Sequence, residues 1–125
     1  RMRLLGYSIS EKLKVLPEFC TAYISLTNDE LKRFKYSKGD TEGVVNYALS
    51  LKGVRFAALF LQRKDRIRIS FRSKGDFPVN EFARKHYQGG GHKNAAGGDS
   101  FESMDDTILQ FEKRLSEYTD QLCSN

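Results

Sequence analysis

The sequence is poor in residue types that define whole classes of protein. It has no tryptophan and only two each of cysteine, histidine, proline and methionine among 125 residues. Cys20 and Cys123 stand far apart without a C-x-x-C spacing, so the sequence indicates neither a zinc site nor a disulfide framework. We therefore expect a reducing, cytoplasmic setting by default.

Long apolar runs are absent as well. No segment approaches the roughly 20 apolar residues that a membrane-spanning helix needs, and the N-terminus lacks a signal-peptide pattern. We predict no membrane contact. Because the chain opens with Arg1-Met2-Arg3 and runs directly into patterned sequence, we expect it to have been cut from a longer protein. Its length is sufficient for one domain with its own core.

The charge balance is compatible with an anionic partner. Lys and Arg together number 21 against 16 Asp and Glu, which gives a formal charge of +5. A charge excess of this size can also serve solubility alone, so composition by itself does not decide whether the chain binds nucleic acid. The 39% hydrophobic and 30% charged contents are those of an ordinary globular chain.

The most unusual stretch is residues 88–98, which hold five of the ten glycines. Glycine is costly to order, so this cluster indicates a backbone that lets another group approach closely. Its N–H groups suit a phosphate, especially if a helical turn begins at His92, with Ala95 and Ala96 packed tightly in the next turn. A flexible linker is the alternative, although the flanking sequence lacks linker composition. The spacing matches neither the dinucleotide fingerprint nor the P-loop.

The hydrophobic pattern predicts an α/β domain. A first short strand is predicted to include Leu13 and Val15 and to end before Pro17. Further strands are predicted at residues 19–26, 54–61 and 66–72, and a short edge strand at residues 99–101. Three helices are predicted from their start signals: a capping box at Thr27–Glu30, a cap at Asp40 or Thr41, and residues 76–78. A fourth, long amphipathic helix is predicted from Met104 to Leu122. We therefore predict a mixed sheet of about five strands with flanking helices.

The strand at residues 66–72 alternates strictly between apolar and polar residues. Its apolar members Ile67, Ile69 and Phe71 are predicted to face the core, and Arg66, Arg68, Ser70 and Arg72 the other side. Arginine binds phosphate through two parallel hydrogen bonds and keeps its charge, which suits a phosphate clamp. A merely solubilising face is the alternative.

Residues 89–97, Gly-Gly-Gly-His-Lys-Asn-Ala-Ala-Gly, resemble the Gly-Gly-Gly-His-x-x-Ala-Ala-Gly signature of the DHH-associated domain. That domain is the C-terminal half of the DHH phosphoesterases, which include RecJ-like exonucleases, nanoRNase/pAp phosphatases, cyclic-di-AMP phosphodiesterases and exopolyphosphatase-related proteins. The resemblance implies the same α/β architecture. It also implies that a substrate phosphate is bound by Gly89, Gly90, Gly91, His92, Ala95, Ala96 and Gly97. His92 is expected to contact that phosphate, and a role as general acid stays open.

Two further segments share this resemblance. Residues 69–73 are similar to the family's Ser-Leu-Arg-Ser strand, with Phe71 at the Leu position, which adds Ser70 and Arg72 to the implied site and, beside them, Arg68. Glu42, Gly43 and Asn46 resemble the Glu-Gly-x-x-Asn element of the nanoRNase-like branch, which adds Asn46. An ordinary capped helix is the alternative for this second segment.

The family's hydrolysis depends on Mn²⁺ or Mg²⁺ held by Asp and His ligands of an N-terminal DHH domain. No Asp-His-His triplet occurs in this sequence, so we expect no catalytic and no metal-binding residue here, and no activity from this chain alone. The implied partners are that DHH domain of the same polypeptide and a short oligonucleotide, pAp or a cyclic dinucleotide. The rival hypotheses are a non-enzymatic nucleic-acid-binding module, as in the related C-terminal domain of alanyl-tRNA synthetases, and a domain without ligand.

Overall fold

A six-stranded mixed sheet organises the computed structural model, which describes residues 2–123 except for the side chain of Lys38. The strands are β1 Lys14–Leu16, β2 Thr21–Leu26, β3 Phe56–Gln62, β4 Ile67–Ser73, β5 Gly90–His92 and β6 Ala95–Ser100, in the spatial order β1-β2-β3-β4-β6-β5. β2 and β3 run parallel, and the other neighbouring strands of this sheet are antiparallel. The predicted α/β fold class is confirmed, with six strands in place of about five.

Six α-helices connect and cover the strands. They are α1 Met2–Tyr7, α2 Asn28–Arg33, α3 Lys38–Ser50, α4 Val79–Tyr87, α5 Met104–Leu115 and α6 Thr119–Leu122. A π-helical segment follows α1 at Ser8–Lys12, and 3₁₀ turns occupy Pro17–Phe19 and Ser116–Tyr118. α2 and α3 form the crossover between β2 and β3, since parallel strands cannot be joined by a tight turn. None of the helices in residues 2–123 combines the length and apolar character that crossing a bilayer would require.

Each face of the sheet carries its own hydrophobic core. On one face, α4, α5 and α6 pack on a cluster of aromatic rings that includes Phe56, Phe71, Phe82 and Phe111. On the other face, α1, α2 and α3 cover aliphatic side chains of β2 and β3. β3 contributes alternate residues to both cores, so it is a central strand buried on both faces.

The helix starts were predicted with mixed success. At α2 the capping box is confirmed, because Glu30 N donates to Thr27 Oγ1 at 3.1 Å and Thr27 N donates to Glu30 Oε1 at 2.8 Å. At α3 the predicted cap on Asp40 or Thr41 was wrong. Ser37 is the cap, and its N–H donates to Asp40 Oδ2 at 2.9 Å, so Asp40 is the third helical residue of a second capping box.

The glycine block forms a β-hairpin, so no helical turn begins at His92. β5 and β6 pair directly, with Lys93 and Asn94 in the turn between them. Asn94 stabilises this turn through Nδ2, which donates to Ser73 Oγ at 2.9 Å and to the Gly75 carbonyl at 3.1 Å. Consequently β6 lies inside the sheet between β4 and β5, whereas residues 99–101 were predicted as an edge strand.

The C-terminal helix is interrupted where one long helix was predicted. The 3₁₀ turn Ser116–Tyr118 separates α5 from α6. Ser116 Oγ donates to the Lys113 carbonyl at 2.7 Å, and Thr119 Oγ1 donates to the Ser116 carbonyl at 3.2 Å. Such bonds from a side chain to the preceding turn compete with regular helix geometry, which accounts for the break.

Cys20 and Cys123 form a disulfide, with their Cα atoms 5.6 Å apart, so the sequence-based expectation of no disulfide was wrong. Cys20 immediately precedes β2 and Cys123 immediately follows α6. The fold brings these two positions together across 103 residues, a separation at which spacing carries no signal. The cytoplasmic setting, which was expected partly for lack of a disulfide, stays a prediction.

We expect reduction of this disulfide to lower the free energy of unfolding by about 3–5 kcal/mol, because it releases a closed loop of about 100 residues in the unfolded chain. Urea unfolding with and without dithiothreitol measures the difference. The Cys20→Ser/Cys123→Ser double variant is the control and should not respond to the reductant. Equal unfolding curves for the unmodified chain under both conditions would contradict the expectation.

Candidate functional site

One face of the sheet is covered over only half its width. On this face α1, α2 and α3 pack on β2 and β3, whereas β4, β6 and β5 form the floor of a groove of about 1050 Å³. The start of α3 provides one wall through Ser37, Thr41 and Glu42. The groove therefore results from a crossover that ends before it reaches the far strands.

The strand register puts the polar side chains of the floor into rows. Directly paired residues of antiparallel strands point to the same face of a sheet. Three such rows cross the floor: Arg72–Ala95–His92, Ser70–Gly97–Gly90 and Arg68–Asp99. Successive rows are two residues apart, or roughly 7 Å along the strands. On β3 the same three rows extend to Ala57, Leu59 and Leu61, which are buried under α3.

Packing explains most glycines of the hairpin. A Cβ on Gly89 would lie 1.9 Å from the Gly97 carbonyl oxygen, and a Cβ on Gly98 would lie 2.6 Å from Tyr87 Cβ. Gly91 combines a φ of 144° with a position where a Cβ would come within 2.7 Å of Ala96 Cα. These residues must be glycine for the strands and α4 to approach each other.

Gly90 differs from its neighbours. A Cβ there would meet nothing within 4 Å, and its φ lies outside the range that disfavours side chains. Together with Gly97 it leaves the middle row without side chains on β6 and β5. The floor is therefore bare at its centre, and a ligand can approach the backbone closely.

Arg72 is held rigidly beside this bare floor. Its Nη1 donates to the carbonyls of Phe71 at 2.9 Å and Ala96 at 3.4 Å, and its Nη2 donates to Glu42 Oε1 at 2.6 Å. The side chain is 15% exposed. These three bonds leave the Nε–H and one Nη2–H of the guanidinium without an acceptor among residues 2–123. Arg72 is therefore oriented in advance and keeps N–H groups for a ligand.

Acidic side chains balance part of the positive charge. Glu42 reaches Arg72 from α3, and Asp99 accepts from Arg68 Nη1 at 3.1 Å and pairs with Arg66 Nη1 at 3.4 Å. Arg66, Arg68 and Arg72, which were predicted to lie on one side of the strand, each have a carboxylate partner. The groove is accordingly less positive than the sequence implied.

His92 and Ser70 offer polar atoms to the groove. Among the described residues, neither the His92 ring nor Ser70 Oγ takes part in a hydrogen bond, and both residues line the groove. His86 lies elsewhere, half-buried, with its Nε2 2.7 Å from Tyr118 Oη. Burial lowers the pKa of His86, and nearby Arg114 and Lys85 lower this pKa further. His86 is therefore a boundary residue of the aromatic core.

The structure brings most of the predicted substrate-binding residues together. Those that line the groove are Arg68, Ser70, Arg72, Gly90, Gly91, His92, Ala95, Ala96 and Gly97. The Ala96 side chain belongs to the aromatic core, so only its backbone faces the site. Gly89 packs beneath Gly97, and Asn46 lies exposed on α3 outside the groove lining. These positions do not support the prediction that Gly89 and Asn46 bind the substrate.

Sequence reasoning missed other lining residues. These are Tyr36, Ser37, Thr41, Leu61 and Arg63, and Glu42 was singled out only for the motif on α3. They come from the α2–α3 connection, the start of α3 and the end of β3. No local pattern links these segments, so only the fold reveals them.

The acidic and sulfur side chains do not form a metal site in the described part of the chain. No group of three or more His, Cys, Asp and Glu side chains within residues 2–123 is arranged to hold a metal ion. The groove carboxylates Glu42 and Asp99 are engaged with arginines. The donor set of residues 2–123 thus does not fit Mn²⁺ or Mg²⁺, which the family resemblance assigns to a separate DHH domain.

Known proteins similar to this chain share one domain. The DHHA1 domain model matches residues 17–119. The "bifunctional oligoribonuclease and PAP phosphatase NrnA" of Bacillus subtilis is 31% identical over 105 residues, which cover 82% of this chain and 33% of that protein. The "probable bifunctional oligoribonuclease and PAP phosphatase NrnA" of Streptococcus mutans is 33% identical over 96 residues, which cover 75% of this chain and 30% of that protein.

A solved structure resembles the whole described fold. An exopolyphosphatase-related protein from Bacteroides fragilis has 42% sequence identity and a TM-score of 0.90 over 97% of this chain. The match covers 35% of that protein. The chain thus spans about a third of the length of each of these relatives.

The two neighbouring glycines should respond oppositely to the same substitution. Gly89→Ala should lower the free energy of unfolding by about 1–3 kcal/mol, because the added Cβ overlaps the Gly97 carbonyl. Gly90→Ala should leave it unchanged or raise it by up to ~1 kcal/mol, because the Cβ has space and the unfolded chain loses freedom. Urea unfolding of both variants measures this. Similar losses of unfolding free energy in the two variants would contradict the packing argument.

Proposed function

Because the chain belongs to the DHHA1 domain family, we propose that it is the substrate-binding domain of a DHH phosphoesterase. In this proposal the groove over β4, β6 and β5 holds a phosphate of a short oligonucleotide, of pAp or of a related phosphoester. The Bacillus subtilis relative is named for oligoribonuclease and PAP phosphatase activities. The observation that carries the proposal is the set of unused donors around the bare floor at Gly90.

The donors around Gly90 have complementary chemistry. Arg72 keeps two N–H groups and lies in the row beside Gly90, with His92 across the sheet in the same row as Arg72. Ser70 shares the Gly90 row and supplies a hydroxyl. A phosphate seated over Gly90 accepts from the guanidinium, the hydroxyl and the imidazole at once. Charge-assisted bonds of this kind are the stronger hydrogen bonds in proteins.

Glu42 sets the electrostatic balance of this site. It already occupies one side of Arg72, so an incoming phosphate meets a guanidinium whose charge is partly offset. Such a site positions an anion through geometry more than through net attraction. This suits a domain that must orient a substrate and later release a charged product.

The proposal divides the work between two domains of one polypeptide. Mn²⁺ or Mg²⁺, bound by an N-terminal DHH domain, would activate water and polarise the phosphoryl group. In this chain Arg72 and His92 hold the phosphate and offset its charge, Ser70 fixes its orientation, and the backbone at Gly90 permits close approach. We accordingly expect no hydrolysis from this chain alone.

A non-enzymatic nucleic-acid-binding module, as in alanyl-tRNA synthetases, was the rival hypothesis. Aromatic side chains exposed on the strands of the floor would favour it, because bases stack on such rings. Phe71, the one aromatic residue of β4, is fully buried in the aromatic core. No observation on these strands therefore favours the rival.

Calorimetric titration of the chain with pAp tests the phosphate site. We expect saturable binding that Arg72→Ala weakens about 10- to 100-fold, since a hydrogen bond to a charged group contributes about 1.5–3 kcal/mol. Gly90→Ala should weaken binding without loss of stability, because its Cβ would occupy the space of the phosphate. A short RNA and a cyclic dinucleotide, titrated in parallel, rank the substrate classes.

Lys93→Ala is the matched control. Lys93 carries the same charge in the hairpin turn but pairs with Asp76 and does not line the groove. Its loss should change the affinity for pAp by less than about twofold. Equal effects of Lys93→Ala and Arg72→Ala, or no binding by the unmodified chain, would contradict the proposed function.

Glu42→Gln should strengthen pAp binding by about 2- to 5-fold, because it removes the carboxylate that competes with the phosphate for Arg72. The size of this effect follows from the up to ~1 kcal/mol that a partly exposed ion pair contributes. The same titration at two salt concentrations measures this effect. Weaker binding in the variant would instead mean that Glu42 acts by orienting Arg72.

A further inference from the structure

A second feature lies in the same groove, beyond Arg68. Tyr36, from the connection between α2 and α3, and Arg63, just after β3, both line the groove there. Arg63 Nη1 donates to Tyr36 Oη, and the guanidinium carbon lies 5.2 Å from the centre of the tyrosine ring. We propose that Tyr36 and Arg63 form a stacking subsite for a nucleobase. This inference rests on the proposed function and extends it from the phosphate to the base.

Arg63 differs in its partners from the two arginines of β4 and from Arg66, which directly precedes β4. Arg66, Arg68 and Arg72 each pair with an aspartate or glutamate. Arg63 forms no ion pair with a carboxylate among residues 2–123, and its guanidinium contacts the ring and the hydroxyl of Tyr36. A guanidinium that lies over an aromatic ring and lacks a carboxylate partner keeps a planar, weakly hydrated surface for a ligand.

A nucleobase is the ligand that matches this surface. Unstacked bases are commonly bound on aromatic rings and on guanidinium planes. Stacking of this kind accepts any base, because every base has a π face. The pair therefore adds affinity for a nucleotide chain without selecting a sequence.

The strand register gives the backbone spacing between the residues proposed to hold the base and those proposed to hold the phosphate. The β3–β4 pairing continues past Leu61–Arg68, and Arg63 N donates to the Arg66 carbonyl at 2.8 Å. Arg63 therefore lies four residues along the strands from the row of Ser70 and Gly90, or roughly 13 Å. One sugar separates a base from its own phosphate, which is too short a link for this span. The geometry thus fits a ligand of at least two nucleotides.

Direct binding with and without a base tests the subsite. The probes are a 5′-phosphorylated diadenylate and two analogues in which one or the other base is replaced by hydrogen on the sugar. We expect the unmodified chain to bind one analogue about 5- to 150-fold more weakly than the diadenylate, the range for loss of one stacked base. Tyr36→Leu should bring this ratio close to one.

Arg63→Lys separates stacking from charge. Lysine keeps the positive charge but lacks the planar group, so the ratio should fall in this variant too. The matched control is Phe101→Leu. Phe101 also carries an arginine over its ring, with the Arg66 carbon 5.3 Å from the ring centre, but it lies outside the groove lining. Its variant should show the ratio of the unmodified chain.

The outcomes distinguish this inference from the proposed function. If the unmodified chain binds the diadenylate and both analogues equally well, the phosphate site stands and the base subsite is wrong. The subsite is also wrong if Tyr36→Leu, shown to be folded by urea unfolding, retains the full ratio. If the unmodified chain binds none of the three probes, the proposed function itself fails.

Discussion

The register between β4 and β6 is the constraint on which the site depends. Side chains alternate between the faces of a sheet, so a slip of one residue would turn Arg68, Ser70 and Arg72 into the aromatic core. Ile67, Ile69 and Phe71 prevent that slip because they are buried on the opposite face. Hydrophobic burial of one face thus fixes the positions of the polar groups on the other.

Incomplete coverage of the sheet then creates the groove. α4 and α5 bury the aromatic face, whereas on the other face the crossover through α2 and α3 packs its core on β2 and β3 and leaves most of β4, β6 and β5 open. The start of α3 stands at the border and extends Glu42 to Arg72. The helix that closes the second core therefore also supplies the wall of the site and the anion that balances its central arginine.

Some features of the glycine hairpin could be predicted from the sequence and others could not. The cluster was correctly interpreted as a place of close backbone approach, and most of the predicted site residues line one groove. No helical turn begins at His92, because Gly89 and Gly91 permit close pairing of strands. Glycine content indicates that two groups come close, but it does not say which groups these are.

The sequence by itself determined the fold class, the alternation of β4, the capping box of α2 and the family, because each depends on residues near one another in the chain or on a contiguous motif. Only the tertiary structure decided the partner of Arg72, the pairing of Tyr36 with Arg63 and the disulfide between Cys20 and Cys123. These contacts join segments that are distant in sequence, and no local periodicity or propensity encodes which distant segments meet.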